Sequence, residues 1–180
     1  KEASADENFS LTVSAKKLQD ILRSLTSNAE ITLTRQDDHL QVKSGKSAFN
    51  LQILPAEDFP KIAEELDSEV SITLKQSEFK KLLHHVQFSV AQQDIRYYLN
   101  GLLLLVESKH LIAVGTDGHR LAYIATDLES DQKKQEVILP RKAVFELSKL
   151  LNDSEDPIKI EYFQNKVRFS FSDIILTSKI

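Results

Sequence analysis

The stretch Thr116-Asp117-Gly118-His119-Arg120 sets a carboxylate, an imidazole and a guanidinium close enough to act on one substrate. An Asp–His pair can exchange protons as general acid and base. Asp-Gly before an apolar strand is also the signature of a hairpin turn. No G-x-S-x-G nucleophile elbow occurs to complete a hydrolase. The four glycines, Gly45, Gly101, Gly115 and Gly118, fit neither a dinucleotide fingerprint nor a P-loop. His84 and His85 are adjacent, so on a helix they point ~100° apart and cannot share a metal as an i, i+4 pair could. Cysteine is absent, which removes thiolate nucleophiles, disulfides and cysteine zinc sites together. The sequence therefore predicts a non-enzyme, with no catalytic residue, metal or cofactor.

A second stretch points to binding. Ala91-Gln92-Gln93-Asp94-Ile95-Arg96-Tyr97-Tyr98-Leu99-Asn100-Gly101 is polar, then sets two tyrosines side by side before an apolar run. Such a segment reads either as a strand edge with one tyrosine in and one out, or as an exposed loop. In the second case its arginine and aromatic rings suit phosphate contact and stacking.

These stretches are framed by a unit that occurs three times: a short strand, a small residue or proline, an amphipathic helix, then further strands. The helical stripes are Leu18, Ile21, Leu22, Leu25; Phe79, Leu82, Leu83, Val86; and Val144, Leu147, Leu150, Leu151. The first two run i, i+3, i+4, i+7, and each stripe gives its helix one buried face. The first members are 61 and 65 residues apart, which suggests internal duplication. Ser14 and Ser77 are candidate N-caps, and Pro140 suits the start of a helix. Ile31–Thr34 with Leu40–Val42, and Ile158–Tyr162 with Val167–Phe171, alternate about polar turns as antiparallel hairpins. Leu102–Val106 and Leu111–Val114 read as two buried strands. The fold class is α+β: a repeated strand–helix–antiparallel strands unit, with helices on one face of antiparallel sheets. Leu54–Pro60 reads as a linker, and the boundary falls near Ser68. Residues 1–68 hold one copy of the unit, and residues 69–180 hold two.

The chain has 180 residues, 41% of them hydrophobic, and a net charge of −4. That suits one domain or one domain and part of another. No apolar run approaches the ~20 residues that span a bilayer, and no signal peptide is visible, so a soluble cytoplasmic protein is expected. The absence of Met, even at position 1, suggests a fragment. The charge is unevenly placed. The three helices carry Lys16, Lys17, Arg23, Lys80, Lys81, Arg141, Lys142 and Lys149 against Asp20, Glu78 and Glu146, and the rest is acidic. These are either ordinary solvated faces or one shared surface for a polyanion. On residues alone, an α+β interaction module without a nucleic-acid role stays open.

Gln92–Gly101, then Gly115-Thr116-Asp117-Gly118-His119-Arg120-Leu121-Ala122, then Ile138-Leu139-Pro140-Arg141-Lys142 resemble the middle domain of the bacterial DNA sliding clamp family, the beta subunit of the replicative polymerase. Val42–Phe49, Leu54–Pro60 and Leu176–Ile180 extend the resemblance over nearly the whole chain. It implies the second half of clamp domain one followed by most of domain two, from a head-to-tail homodimeric ring that duplex DNA threads. DNA contacts would be Gln92, Gln93, Tyr97, Tyr98, Arg141 and Lys142. A pocket for linear peptide motifs of DNA polymerase and clamp-loader subunits would use Arg96, Leu99, Thr116, Gly118, His119, Arg120 and Leu121, with Asp117 as the turn residue beside it. An apolar hole with a polar rim suits such an anchor. The dimer interface would use Lys17, Lys46, Phe49 and Leu51, while Ala48 stands where the family usually has a basic residue. With one side of that head-to-tail contact, the isolated chain is expected to be monomeric or only weakly associated.

Overall fold

A computed structural model describes residues 8–60 and 68–180. The chain divides into two compact units, residues 1–63 and 64–180. The stretch 61–67, which leads to the expected boundary near Ser68, lies outside the described residues.

The first unit runs β1 (Thr12–Val13), α1 (Ala15–Ser24), β2 (Thr32–Arg35), β3 (His39–Ser44) and β4 (Ser47–Leu54). Its sheet is antiparallel in the order β1-β4-β3-β2. Ser14 caps α1 as expected, accepting from the Lys17 amide at 3.5 Å. Gly45 makes the β3–β4 turn at φ 55°, a left-handed conformation that favours glycine. Leu40, Val42 and Leu51 form a small buried centre, with Leu18 and Ile21 of α1 packed against it.

The second unit runs β5 (Val70–Lys75), α2 (Gln76–Val86), β6 (Gly101–Thr116), β7 (Leu121–Pro140), α3 (Arg141–Leu150), β8 (Pro157–Tyr162), β9 (Lys166–Phe171) and β10 (Ile174–Lys179). The stripe of α2 is buried as its spacing predicts, and that of α3 is buried at Val144, Leu147 and Leu151 but not at Leu150, which is 39% exposed. Phe79, Leu83, Val86, Val144 and Leu147 are fully buried, and Phe79 lies on Phe169 with ring centres 5.8 Å apart. Pro140 immediately precedes α3, where its fixed φ suits the first turn.

The two halves of this unit complete each other. The strand that leads into α2, β5, pairs with the first strand after α3, from Val70↔Tyr162 to Lys75↔Pro157. The end of β7 that leads into α3 pairs with the first strand after α2, from Gly101↔Pro140 to Leu104↔Val137. Between the helices, Ser148 Oγ donates to Gln87 Oε1 at 3.1 Å.

Two local expectations are corrected. Ser77 is not the cap of α2. The helix starts at Gln76, and its first amides are satisfied by loop carbonyls: Gln76 N donates to Asp156 O at 2.9 Å and Ser77 N to Ser154 O at 3.0 Å. Nor do Leu102–Val106 and Leu111–Val114 form separate strands. They are one strand, β6, whose register shifts twice between Val106 and His110, with Ser108 at φ 53°. The polar run Glu107–His110 is a bulge, which bends a strand without ending its pairing.

Gly115 lies where β6 passes α2. A Cβ there would stand 2.5 Å from the Val86 carbonyl oxygen, which is backbone and cannot swing away. Gly115→Ala is expected to lower stability by about 1–3 kcal/mol, as overpacking does. Chemical denaturation monitored by circular dichroism measures it.

Candidate functional site

Two loops of the second unit gather most of the residues singled out in the sequence. The first, residues 91–100, is closed on itself. Asp94 N donates to Asn100 Oδ1 at 2.9 Å, and Asn100 Nδ2 donates to Asp94 O at 2.7 Å. Arg96 donates three times to the Asp94 carboxylate, from its amide at 2.8 Å, Nε at 3.0 Å and Nη2 at 2.8 Å. These Arg96 hydrogen bonds hold the Asp94 carboxyl at a pKa of about 2. The closed loop ends in a 3-10 turn, Tyr97–Asn100, rather than the strand edge that was the other reading. Leu99 turns inward and is buried, and Ala91 N donates to its carbonyl at 3.1 Å. Ile95 and Tyr97 turn outward, 98% and 82% exposed. Tyr98 meets Tyr97 edge to face at 5.8 Å.

The second loop joins β6 to β7. Asp117 Oδ1 accepts from the His119 and Arg120 amides at 3.0 and 2.9 Å, and Oδ2 accepts from Arg120 Nε at 3.0 Å. Those two backbone amides are the main reason its carboxyl pKa is lowered. Thr116 Oγ1 donates to Arg120 O at 2.8 Å and accepts from Gly118 N at 3.1 Å. Asp117 is thus committed to holding a tight turn, which Gly118 completes at φ 86°. The sequence motif that most resembled an acid–base pair is structural.

The loops touch at Arg96. A Cβ on Gly118 would lie 3.1 Å from the Arg96 guanidinium, so the glycine makes room for it. A cavity of about 340 Å³ opens beside this contact, lined by Phe88, Gln92, Asp94, His119, Arg120 and Arg141 among others. It brings together residues from the expected DNA set and the expected peptide set, and it is more polar than the apolar hole foreseen. Leu121 does not line it. With Tyr123 it points outward, 64% and 60% exposed, from the face of β7 opposite Ala122 and Ile124, which pack on the core.

Arg141 and Lys142 are adjacent but placed differently. Lys142 is exposed. Arg141 is half-buried: Nη1 donates to Val90 O at 2.9 Å, and its guanidinium lies 4.5 Å from the Phe145 ring centre. It holds the base of the first loop against α3, a role its sequence position does not reveal. Other helix charges are also engaged. Lys80 pairs with Asp153 at 2.9 Å and Lys149 with Glu146 at 3.1 Å, whereas Lys81 is exposed. Phe88, Asp94 and Asn100 were not foreseen. The Asp-x-Arg spacing hinted at Asp94, but nothing marked Phe88, which lies 5.9 Å under the Arg120 guanidinium.

In the first unit, Lys17 on α1 and Lys46 in the β3–β4 turn are exposed. Phe49 is half-buried against the unit's core. Leu51 is only 4% exposed and belongs to that core, so its side chain is not offered to a partner as expected. Alternation along β4 puts it on the inner face with Phe49.

Repeated strand–helix–strand halves closing around paired helices define the DNA clamp fold, and the comparisons agree. The family described as DNA polymerase III beta subunit, central domain, matches residues 73–180, and the N-terminal domain of the same subunit matches residues 1–63. The beta sliding clamp of Salmonella typhimurium is 44% identical over 94% of this chain and 46% of its own length. That of Vibrio cholerae is 43% identical over 97% and 47%. The crystal structure of the DNA polymerase III subunit beta from Pseudomonas aeruginosa superimposes with a TM-score of 0.92 at 39% identity, covering 98% of this chain and 48% of that one. A sliding clamp from the same organism bound to griselimycin gives 0.88 at 39% identity, over 94% and 46%. The chain belongs to the DNA polymerase III beta subunit family, and it spans about half the length of the relatives it matches.

The lowered Asp94 pKa has a testable consequence. A carboxyl whose pKa falls on folding favours the folded loop above its unfolded value, near 3.8, and that contribution is lost as pH falls through about 2. The Asp94 carboxyl carbon is expected to titrate near pH 2 by NMR, and Arg96→Ala is expected to return it toward 3.8.

Proposed function

We propose that this chain is part of a ring-shaped sliding clamp, non-enzymatic and cytoplasmic, that encircles duplex DNA without reading sequence. In that role it tethers the replicative polymerase and clamp-loader subunits through their linear peptide motifs. Residues 1–68 would be the second half of clamp domain one with its linker, and residues 69–180 most of domain two, within a head-to-tail homodimer when full length. The observation that carries the reading is the disposition of α2 and α3. Each buries an apolar stripe and presents an exposed lysine, Lys81 or Lys142, at its surface. Lysines on a helix surface offer charge to phosphates and carry no base identity. Weak, salt-sensitive and sequence-independent contact is what a sliding ring requires.

Gln92, Gln93, Tyr97 and Tyr98 would meet DNA at the ring face. The outward Tyr97 ring supports this, because it offers a stacking surface on a loop already held in shape. Arg96, Leu99, Thr116, Gly118, His119, Arg120 and Leu121 would form one wall of the peptide pocket. Outward Leu121 supplies an apolar anchor beside a polar rim. Lys17, Lys46 and Phe49 would contribute to the head-to-tail contact.

Lys142 and Arg141 separate charge from scaffold. In the full-length protein, Lys142→Ala is expected to reduce the log–log salt slope of duplex binding by about 0.9 per subunit and to leave stability nearly unchanged. Arg141→Ala is expected to destabilise the fold by about 1–3 kcal/mol, because the Val90 carbonyl loses a charged donor. Salt titration by fluorescence anisotropy, with thermal melts of both variants, reads the two effects. An unchanged slope for Lys142→Ala on more than one duplex sequence removes α3 from the DNA path.

A further inference from the structure

The two halves of the second unit close on each other, so the outward face of α2 is a property of that unit alone. β5 pairs with β8 and β6 with β7, and α2 spends Phe79, Leu82, Leu83 and Val86 on the core between them. The outward positions that remain are all polar: Ser77, Glu78, Lys80, Lys81, His84 and His85. Lys80 is paired with Asp153. Lys81, His84 and His85 follow at i, i+3 and i+4, a spacing that makes them neighbours on one side of the helix.

These two histidines are set differently from the other three. His39 lies 2.6 Å from the Asp38 carboxylate and His110 3.4 Å from that of Asp127. His119 lines the cavity that Asp94 and Asp117 also line. His84 and His85 are exposed, pair with no carboxylate among the described residues, and stand edge to face with ring centres 6.1 Å apart. His85 Nδ1 lies 2.6 Å from the Lys81 carbonyl oxygen, which can only accept, so Nδ1 carries the proton of the neutral ring. Nε2, on the far side of that ring, is then a bare acceptor that protonation turns into a donor. Histidine is the side chain that ordinarily changes charge between pH 5 and 8. Both lie in the last turn of α2, where the helix end favours a positive charge. The ionisable groups on this side of the unit are Glu78, Lys80 and Lys81 of α2, Asp153 before β8, and Lys142, Glu146 and Lys149 of α3, with Lys75 and Glu155 paired beyond the other end of α2. The strands β5, β6, β7 and β8 meet α2 through its apolar stripe, on the opposite side, and the turn Gln87–Ser89 brings no ionisable group.

We infer that His84 and His85 are phosphate contacts that act when protonated, so that α2 holds duplex DNA more firmly as pH falls and loosens as pH rises. The inference rests on the proposed function, because without a polyanion at α2 these are solvated side chains. Charge balance gives the pair its weight. Glu78 and Asp153 offset Lys80 and Lys81, so with neutral imidazoles this face carries no net charge, and with both protonated it carries two positive charges. The outward face of α3, with Lys142 and Lys149 against Glu146, keeps its charge over the same range. α2 is therefore the half of the surface whose attraction for phosphate varies. A phosphate close to an imidazole favours the charged ring, so binding of duplex draws protons onto the pair.

Duplex binding by the full-length protein, followed by fluorescence anisotropy over a range of salt at pH 8 and pH 6, tests this. The log–log salt slope of the wild type is expected to steepen from pH 8 to pH 6 by about 0.9 for each histidine that takes a proton, about 1.8 per subunit at most. His84→Gln combined with His85→Gln is expected to lose that difference. His84→Lys combined with His85→Lys is expected to bind more tightly than the wild type at pH 8, with the steeper slope already present there. A gain of this kind comes from charge and not from packing. A pH response as large in the glutamine variant as in the wild type overturns the inference, and so does a lysine variant no tighter than the wild type at pH 8. Lys81→Ala at pH 8 keeps this inference apart from the reading it rests on. If Lys81→Ala lowers the slope while the glutamine variant keeps the wild-type pH response, the histidine role alone is overturned. If Lys81→Ala leaves the slope unchanged and the glutamine variant keeps that response, α2 is removed from the DNA path altogether.

Discussion

Neither half of the second unit can bury its own helix. β5 needs β8, and the end of β7 needs the start of β6, so each half supplies the strand the other lacks. Only when both exchanges are made do Phe79, Leu82, Leu83, Val144 and Leu147 leave water together. Each such burial is worth about 1.5–3 kcal/mol. This constraint fixes the orientation of both helices: with the apolar stripes committed inward, Lys81 and Lys142 are left outside.

The loops inherit their positions from the same frame. β6 starts at the end of one loop and finishes at the start of the other, so the 91–100 and 117–120 segments are tied to opposite ends of one strand. Its bulge at 106–110 allows so long a strand to bend while staying paired. Gly115 lets β6 lie directly on the end of α2, and Gly118 makes room for Arg96 between the loops. Internal bonds then stiffen each loop: Asp94 with Arg96 and Asn100, Asp117 with the amides of its own turn. A binding surface gains from loops already in shape, because ordering them on contact would cost affinity.

Much of this was legible in residue types alone. The α2 stripe, most of the α3 stripe, both hairpins, the Asp-Gly turn and the α+β class follow from periodicity and turn chemistry, which are local. Most of the misses were non-local. Ser77 looked like a cap because caps are judged from neighbours in sequence, but residues 154–156 supply the bonds. Leu102–Val106 and Leu111–Val114 read as two strands because polarity at 107–110 cannot tell a bulge from a break. Arg141 looked like a surface charge because its acceptor, Val90, is 51 residues away. Leu51 looked like an interface residue by resemblance to the family, while alternation along β4 sends it inward. The placement of the residues expected to line a pocket needed the meeting of two loops, which no single stretch encodes.

We propose that the full-length protein holds DNA by enclosing it and only lightly by touching it. The direct measurement compares retention of the full-length protein on nicked circular duplex with retention after the same circle is cut once. Long residence on the circle and rapid loss through the new ends are expected, with both little changed by sequence. Equal retention on circular and linear DNA would contradict the account, because it would mean that the protein grips the duplex through direct contacts.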